Sequence, residues 1–246
     1  MSEISREQEI ELKFSLLIID LHGDLELLIY GQSFRDKLVG VRLMYSLCKE
    51  ATETLPKIVA EERRERKVVM NKTGNCRAAA AAYLESFLYF ILGAFDILAS
   101  ITIYLYPRDQ KALSKRYFKD QMYNFIESNI NPNYAKLLSK NKDWILKVSK
   151  NRDALAHKAS ASLLFEEDGR VMFVDRKPFD KPTEKKDYVD LLAFLDITYK
   201  NVYDFIESYV DIHRVRIPES EDSKSMLNLL EKGLVRQHVK EHKNRE

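Results

Sequence analysis

"FLYFILGAFDILASITIYLY", Phe87 to Tyr106, is the stretch on which the fold turns. A run of this length and composition approaches what is needed to cross a bilayer. Asp96 sits at its middle, however, and Glu85 lies just before it. A carboxylate at the centre of a membrane helix costs about 2.5–3.5 kcal/mol on insertion scales. The flanks also lack a clear asymmetry of basic residues. The stretch therefore reads as the central buried helix of a helical bundle, apolar on nearly all sides because neighbours surround it.

The rest of the chain agrees with long helices. Its 246 residues include only seven glycines and six prolines, too few for a strand-and-turn architecture. Hydrophobic content of 45% and charged content of 32% are those of a folded globular chain. The net charge of +2 does not by itself imply nucleic acid binding. Cys48 and Cys76 match neither a disulfide framework nor a zinc spacing, and read as two reduced, partly buried thiols. The start, "MSEISREQEIELKF", lacks the basic and apolar regions of a secretory signal, so a cytoplasmic protein without membrane attachment is expected.

Helical spacing of Leu12, Leu16, Ile19 and Leu27 predicts a helix over 5–31, interrupted at "HGD" (22–24). A second helix is predicted over 33–66, disturbed at Pro56. Thr73 is placed to cap a long helix ending at Tyr106–Pro107, and another helix follows over 109–128. Pro132 suits the first turn of a helix reaching to about residue 158. Two β-rich runs around Asp168–Gly169 predict a hairpin over 162–175, followed by the loop "RKPFDKPTEKK". A last long helix begins with "DYVD" (187–190), and its stripe of Tyr188, Phe194, Tyr199, Tyr203, Phe205 and Tyr209 reads as core or dimer contact. His213 at its close reads as a residue complementing the helix dipole. An amphipathic tail helix is expected over 219–246, with His238 and His242 on its solvated end. The whole is expected to be one all-α domain, 1–246.

"KVSKNRDALAHKAS", residues 147–160, carries the chemistry. On a wheel of about 100° per residue, Leu138, Trp144, Ile145, Val148, Leu155 and Ala156 form one apolar side. Arg152 lies within that stripe, where a cation must find an anion, snorkel or line a cleft. Asp153 and His157, spaced i, i+4, are neighbours, so the carboxylate is placed to orient the imidazole and favour its charged form. Between Lys136 and Lys158 seven basic residues stand against two acids, Asp143 and Asp153, the footprint of a phosphate-facing patch. On a straight helix Arg152 and His157 diverge by about 140°, so one chain does not aim both at one phosphate.

"RDALAH" resembles the Arg-(polar)-x-x-x-His signature of HEPN domains. The preceding long helix, with Glu85 inside "AAYLESFLYFIL", also resembles that family's pattern. The resemblance covers about residues 73–213. It implies an up-and-down HEPN-type bundle, with the N-terminal helices, the hairpin and the tail as elaborations. It further implies a metal-independent endoribonuclease without cofactors, acting as a homodimer in defence, stress response or a toxin–antitoxin setting. In that reading His157 is the general acid or base and Arg152 binds the scissile phosphate. Asp153 tunes the pair, Lys147, Lys150 and Lys158 bind phosphate, and Glu85 and Asp96 form a supporting polar core. Expected partners are RNA, a second copy and an antitoxin or regulatory protein. The alternative is a non-catalytic helical module for dimerisation, nucleotide or partner binding. Gly-rich phosphate loops and nucleophile elbows are absent from the sequence.

Overall fold

Ser5 starts the first helix. Its hydroxyl accepts from Gln8 N (3.3 Å), and the Gln8 side chain accepts from Ser5 N (3.0 Å), so two end donors are satisfied reciprocally. In this computed structural model the described residues are 4–21, 25–65, 70–106, 131–158, 163–166, 169–174, 188–215, 217 and 220–231. The expected helix 109–128, the loop 176–186 and the tail beyond 231 lie outside them. The described chain is mostly helical. It contains α1 (Arg6–Asp20), α2 (Leu25–Glu65), α3 (Met70–Leu105), α4 (Pro132–Lys158), α5 (Leu191–Arg214) and α6 (Glu221–Glu231). Strands β1 (Leu163–Phe165), β2 (Val171–Val174) and β3 (Tyr188–Asp190) form an antiparallel sheet in that order.

Several predicted boundaries move. α1 ends just before "HGD", but α2 begins at Leu25 and continues through the expected start at 33. Leu27, Phe34, Leu38 and Val41 continue one buried stripe across that point, so nothing there ends the helix. Pro56 is also carried inside α2, because it removes only one hydrogen bond from a helix of 41 residues. Thr73 does not cap α3, which starts earlier, at Met70; its hydroxyl and backbone N–H donate to Glu62 at the far end of α2 instead. The expected single hairpin is a three-stranded sheet. Tyr188–Asp190, read as the start of a helix, pairs with β2 (Met172 opposite Asp190), and Asp190 Oδ1 caps α5 by accepting from Ala193 N at 2.9 Å. Between β1 and β2, Gly169 stands at φ +88°, a conformation that disfavours other residues, while Asp168 lies outside the described residues.

The fold divides into two compact units, each described by itself. The first comprises residues 1–35, 97–139 and 203–246. Phe14 and Phe34 pack with ring centroids 4.2 Å apart. His213, expected to complement the helix dipole at the close of α5, is fully buried among Tyr209, Tyr134 and Tyr106, with centroids at 4.1, 5.1 and 5.7 Å. Its Nδ1 lies 2.7 Å from the Tyr209 carbonyl, which only accepts, so that nitrogen carries the proton. Asp20 is also buried, and it docks α6. Its carboxylate accepts from Ser220 Oγ (2.6 Å) and Ser223 Oγ (2.7 Å) and pairs with Arg214 Nη1 (2.7 Å).

The second unit comprises residues 36–96 and 140–202. Here α2 and α3 approach closely at Gly40, where an added Cβ would stand 2.6–2.7 Å from three ring atoms of Phe90. Because the ring's Cγ is among them, the whole side chain has to swing aside. Gly40→Ala is therefore expected to cost about 1–3 kcal/mol through overpacking, read as a lower urea midpoint at unchanged m-value. Cys48 is buried and Cys76 half-buried, both as free thiols; their Sγ atoms contact the carbonyls of Ala80 (3.4 Å) and Ala51 (3.5 Å).

Along α3, Leu84, Phe87, Leu88, Ile91, Phe95 and Leu98 are fully buried. By length and composition Lys72–Leu105 is also long and apolar enough to cross a membrane, with 44% of its most apolar window buried. Of the predicted aromatic stripe, Phe194, Tyr203, Phe205 and Tyr209 of α5 are core residues, whereas Tyr199 is half-buried and Tyr188, also half-buried, lies on β3.

Candidate active site

All the candidate residues fall in the second unit, most of them on α4. Asn131 caps this helix, its Oδ1 accepting from Asn133 N (3.0 Å) and Tyr134 N (3.1 Å), with Pro132 in the first turn. The helix then runs without a break to Lys158. Leu138, Ile145 and Val148 are buried and Trp144 and Leu155 half-buried, so the predicted apolar stripe is real over the described side chains, which do not include that of Ala156.

Arg152 sits in the middle of that stripe, yet its side chain keeps 35% of its exposure. Its Nε is shielded from solvent and lies 3.4 Å from Asp153 Oδ1, too poorly aligned for a hydrogen bond. Among the described residues this is its ion pair, with its own chain neighbour and half in solvent. Such a pair is worth at most about 1 kcal/mol. Arg152 is thus a half-buried cation whose ion pair among the described residues is weak.

Asp153 stands beside Arg152. Its expected pairing with His157 lies outside the described side chains, as do those of His157 and Lys158 themselves. Lys150 is exposed. Lys147 is half-buried, its ammonium 5.7 Å from the centroid of Phe194, which in turn packs on Phe173 of β2 at 4.7 Å. Glu85 and Asp96 are both half-buried and partnered. Phe95, next to Asp96, packs on Trp144 with centroids 5.8 Å apart, which brings that turn of α3 against α4. Because α4 is helical through Lys158, positions 152 and 157 diverge by about 140° in one chain.

Three features went unread in the sequence. Asn151 is only 2% exposed, and its amide donates to the Lys147 carbonyl (3.1 Å); its place beside Arg152 was the available signal. Arg77 Nη2 donates to the Leu163 carbonyl (2.6 Å) and ties β1 to α3. Tyr45 and Lys49 of α2 converge on Asp196 Oδ1 of α5 at 2.6 and 3.0 Å. Burial pushes the Asp196 carboxyl up, but the hydrogen bonds from Tyr45 and Lys49 outweigh it and leave the group below its ordinary range. Burial and Asp196 both raise the Tyr45 phenol, which stays protonated and serves as a donor rather than a nucleophile. These partners are too far apart in sequence for any local pattern to join them.

Comparison with protein families, curated proteins and solved structures finds no match for this chain.

Proposed function

We propose that this protein is a metal-independent endoribonuclease of HEPN type, acting as a homodimer in the cytoplasm, in a defence, stress or toxin–antitoxin role. The observation that carries the reading is Arg152, a half-exposed guanidinium set in a buried stripe and weakly paired with its own neighbour. The planar fork of a guanidinium suits the oxygens of a phosphate. In this reading the RNA 2′-oxygen attacks the adjacent phosphorus as its proton leaves, and the bond to the 5′-oxygen breaks. The products are a 2′,3′-cyclic phosphate and a 5′-hydroxyl. His157 takes the first proton or returns one to the leaving oxygen, and Arg152 stabilises the charge that develops on phosphorus. Asp153 holds Arg152 in place, and Lys150 adds positive potential. The helical divergence of 152 and 157 requires two chains, each completing the other's site, around a HEPN-like core in an up-and-down bundle.

The test is RNA cleavage by the purified protein in EDTA, with the ends identified. Cleavage that survives chelation and leaves cyclic phosphate supports the enzyme. A dimer that folds normally and leaves RNA intact points to the non-catalytic module for dimerisation, nucleotide or partner binding.

A further inference from the structure

We infer that α2 carries a self-association surface: the outward face of residues 25–43 pairs with the same face of a second copy, antiparallel and two-fold symmetric. This contact is independent of the ribonuclease reading. α2 lies outside the stretch 73–213 that resembles HEPN domains, and this face holds none of the residues placed at the α4 site.

Leu25, Ile29, Val39 and Leu43 are between 43% and 74% exposed, with Leu28 at their edge. At about 100° per residue they fall, with Gln32 and Asp36, within about 40° of one line along the helix. The opposite side holds Leu27, Phe34, Leu38 and Val41, all buried, so the core fixes α2 and its outer face is preformed. Single exposed apolar residues are ordinary, but four on one line about 27 Å long mark a contact. Past Leu43 the line turns polar, with Ser46 and Glu50 exposed.

The order of residues along this line points to what covers it. Leu25, Ile29, Gln32, Asp36, Val39 and Leu43 follow in steps of four, three, four, three and four. Those are the steps of a coiled-coil seam, and the pattern is the same read from either end. About a midpoint at position 34, Leu25 stands opposite Leu43 of the second copy, Ile29 opposite Val39 and Gln32 opposite Asp36. Every apolar position then meets an apolar one, and the amide meets the carboxylate. A two-fold contact requires this self-matching, whereas an unrelated partner does not. Exposed Arg35 joins Asp36 near the two-fold, giving two cations and two anions from the two copies, so the centre is balanced. The register is specified as well. Sliding one copy by seven residues sets Asp36 against Leu25 or Val39 of the other and buries a carboxylate against hydrocarbon.

Sedimentation velocity of the full chain at micromolar concentration, beside circular dichroism, tests the pairing. Ile29→Glu/Leu43→Glu sets a carboxylate into every apolar layer and is expected to roughly halve the mass of the assembly. Helix content should stay unchanged, because both positions are exposed. Where copies also meet at the α4 site, the double variant returns a larger assembly to that dimer. Ile29→Glu and Val39→Lys should each weaken association alone. Mixed, they set the new carboxylate at 29 against the new ammonium at 39, and should associate about tenfold more tightly than either variant by itself. In a parallel pair position 29 faces position 29, and mixing regains nothing. A monomeric wild type, a double variant of wild-type mass, or a mixture no tighter than its components overturns the antiparallel pair. Loss of helix content in the double variant overturns it too, since the stripe is then covered within its own chain.

Discussion

Replacing His157 by Ala is expected to lower RNA cleavage by about 10²–10⁴-fold, the range for loss of a positioned acid or base. Arg152→Ala is expected to lower it by about 10²–10³-fold, comparable to removing one preorganised donor from a developing oxyanion. Position 157 lies near the end of α4, so its truncation leaves the buried stripe intact. Arg152 is half-exposed, and its pair with Asp153 contributes at most about 1 kcal/mol. Both variants should therefore keep wild-type helix content and the wild-type oligomeric state. Arg152→Lys separates charge from geometry: it keeps the cation but loses the planar fork, and should recover only part of the rate. In the proposed reading the site is shared between two copies, so mixing the two inactive variants should restore some activity through hybrid dimers. Cleavage that persists in both alanine variants refutes the assignment, and unfolding of Arg152→Ala alone would recast that arginine as a structural residue.

The largest stability effect is expected at Asp20. Asp20→Ala removes the acceptor of Ser220 and Ser223 and leaves Arg214, whose side chain is only 15% exposed, without its carboxylate. Breaking a buried pair from one side costs about 3–5 kcal/mol, and the partial exposure of Arg214 places the expectation near the lower end, about 3 kcal/mol. Hydrogen exchange should rise first in α6, which these bonds dock. The same residue sets a pH dependence. Burial raises the Asp20 carboxyl, but the hydrogen bonds from Ser220 and Ser223 and the ion pair with Arg214 outweigh it and leave the folded value below the ordinary one. A lowered folded value means that this stabilisation is complete above the unfolded carboxyl range, near pH 4. It is lost as pH falls through the folded value. Asp20→Asn should flatten the stability profile across that acid window while staying flat above it. If its profile parallels wild type there, the carboxylate is not what holds α6.

Much of the secondary structure was legible because it is a local matter. Pro132 in the first turn of α4, the antiparallel β1–β2 pair and the apolar stripe of α4 each follow from residues within a few positions of one another. So does the placement of Arg152 inside that stripe. β3 was not legible, because Tyr188–Asp190 is three residues long and is a strand only through its pairing with β2. The start of α3 was misread because Thr73 looks like a cap until Glu62 is brought against it.

The motif itself divides in the same way. The sequence by itself determined which residue types lie at 152, 153 and 157, the helix that carries them, and the angle between them. Only the tertiary structure decided that Arg152 stays half in solvent with Asp153 beside it, and that Phe194 lies under Lys147. It also decided that His213 is enclosed by three tyrosines and that one aspartate docks the tail helix. The reason is physical. Periodicity and capping act over one or two helical turns, whereas burial and ion pairing depend on partners as far away as Asp20 and Ser223, which only the folded chain brings within 2.7 Å.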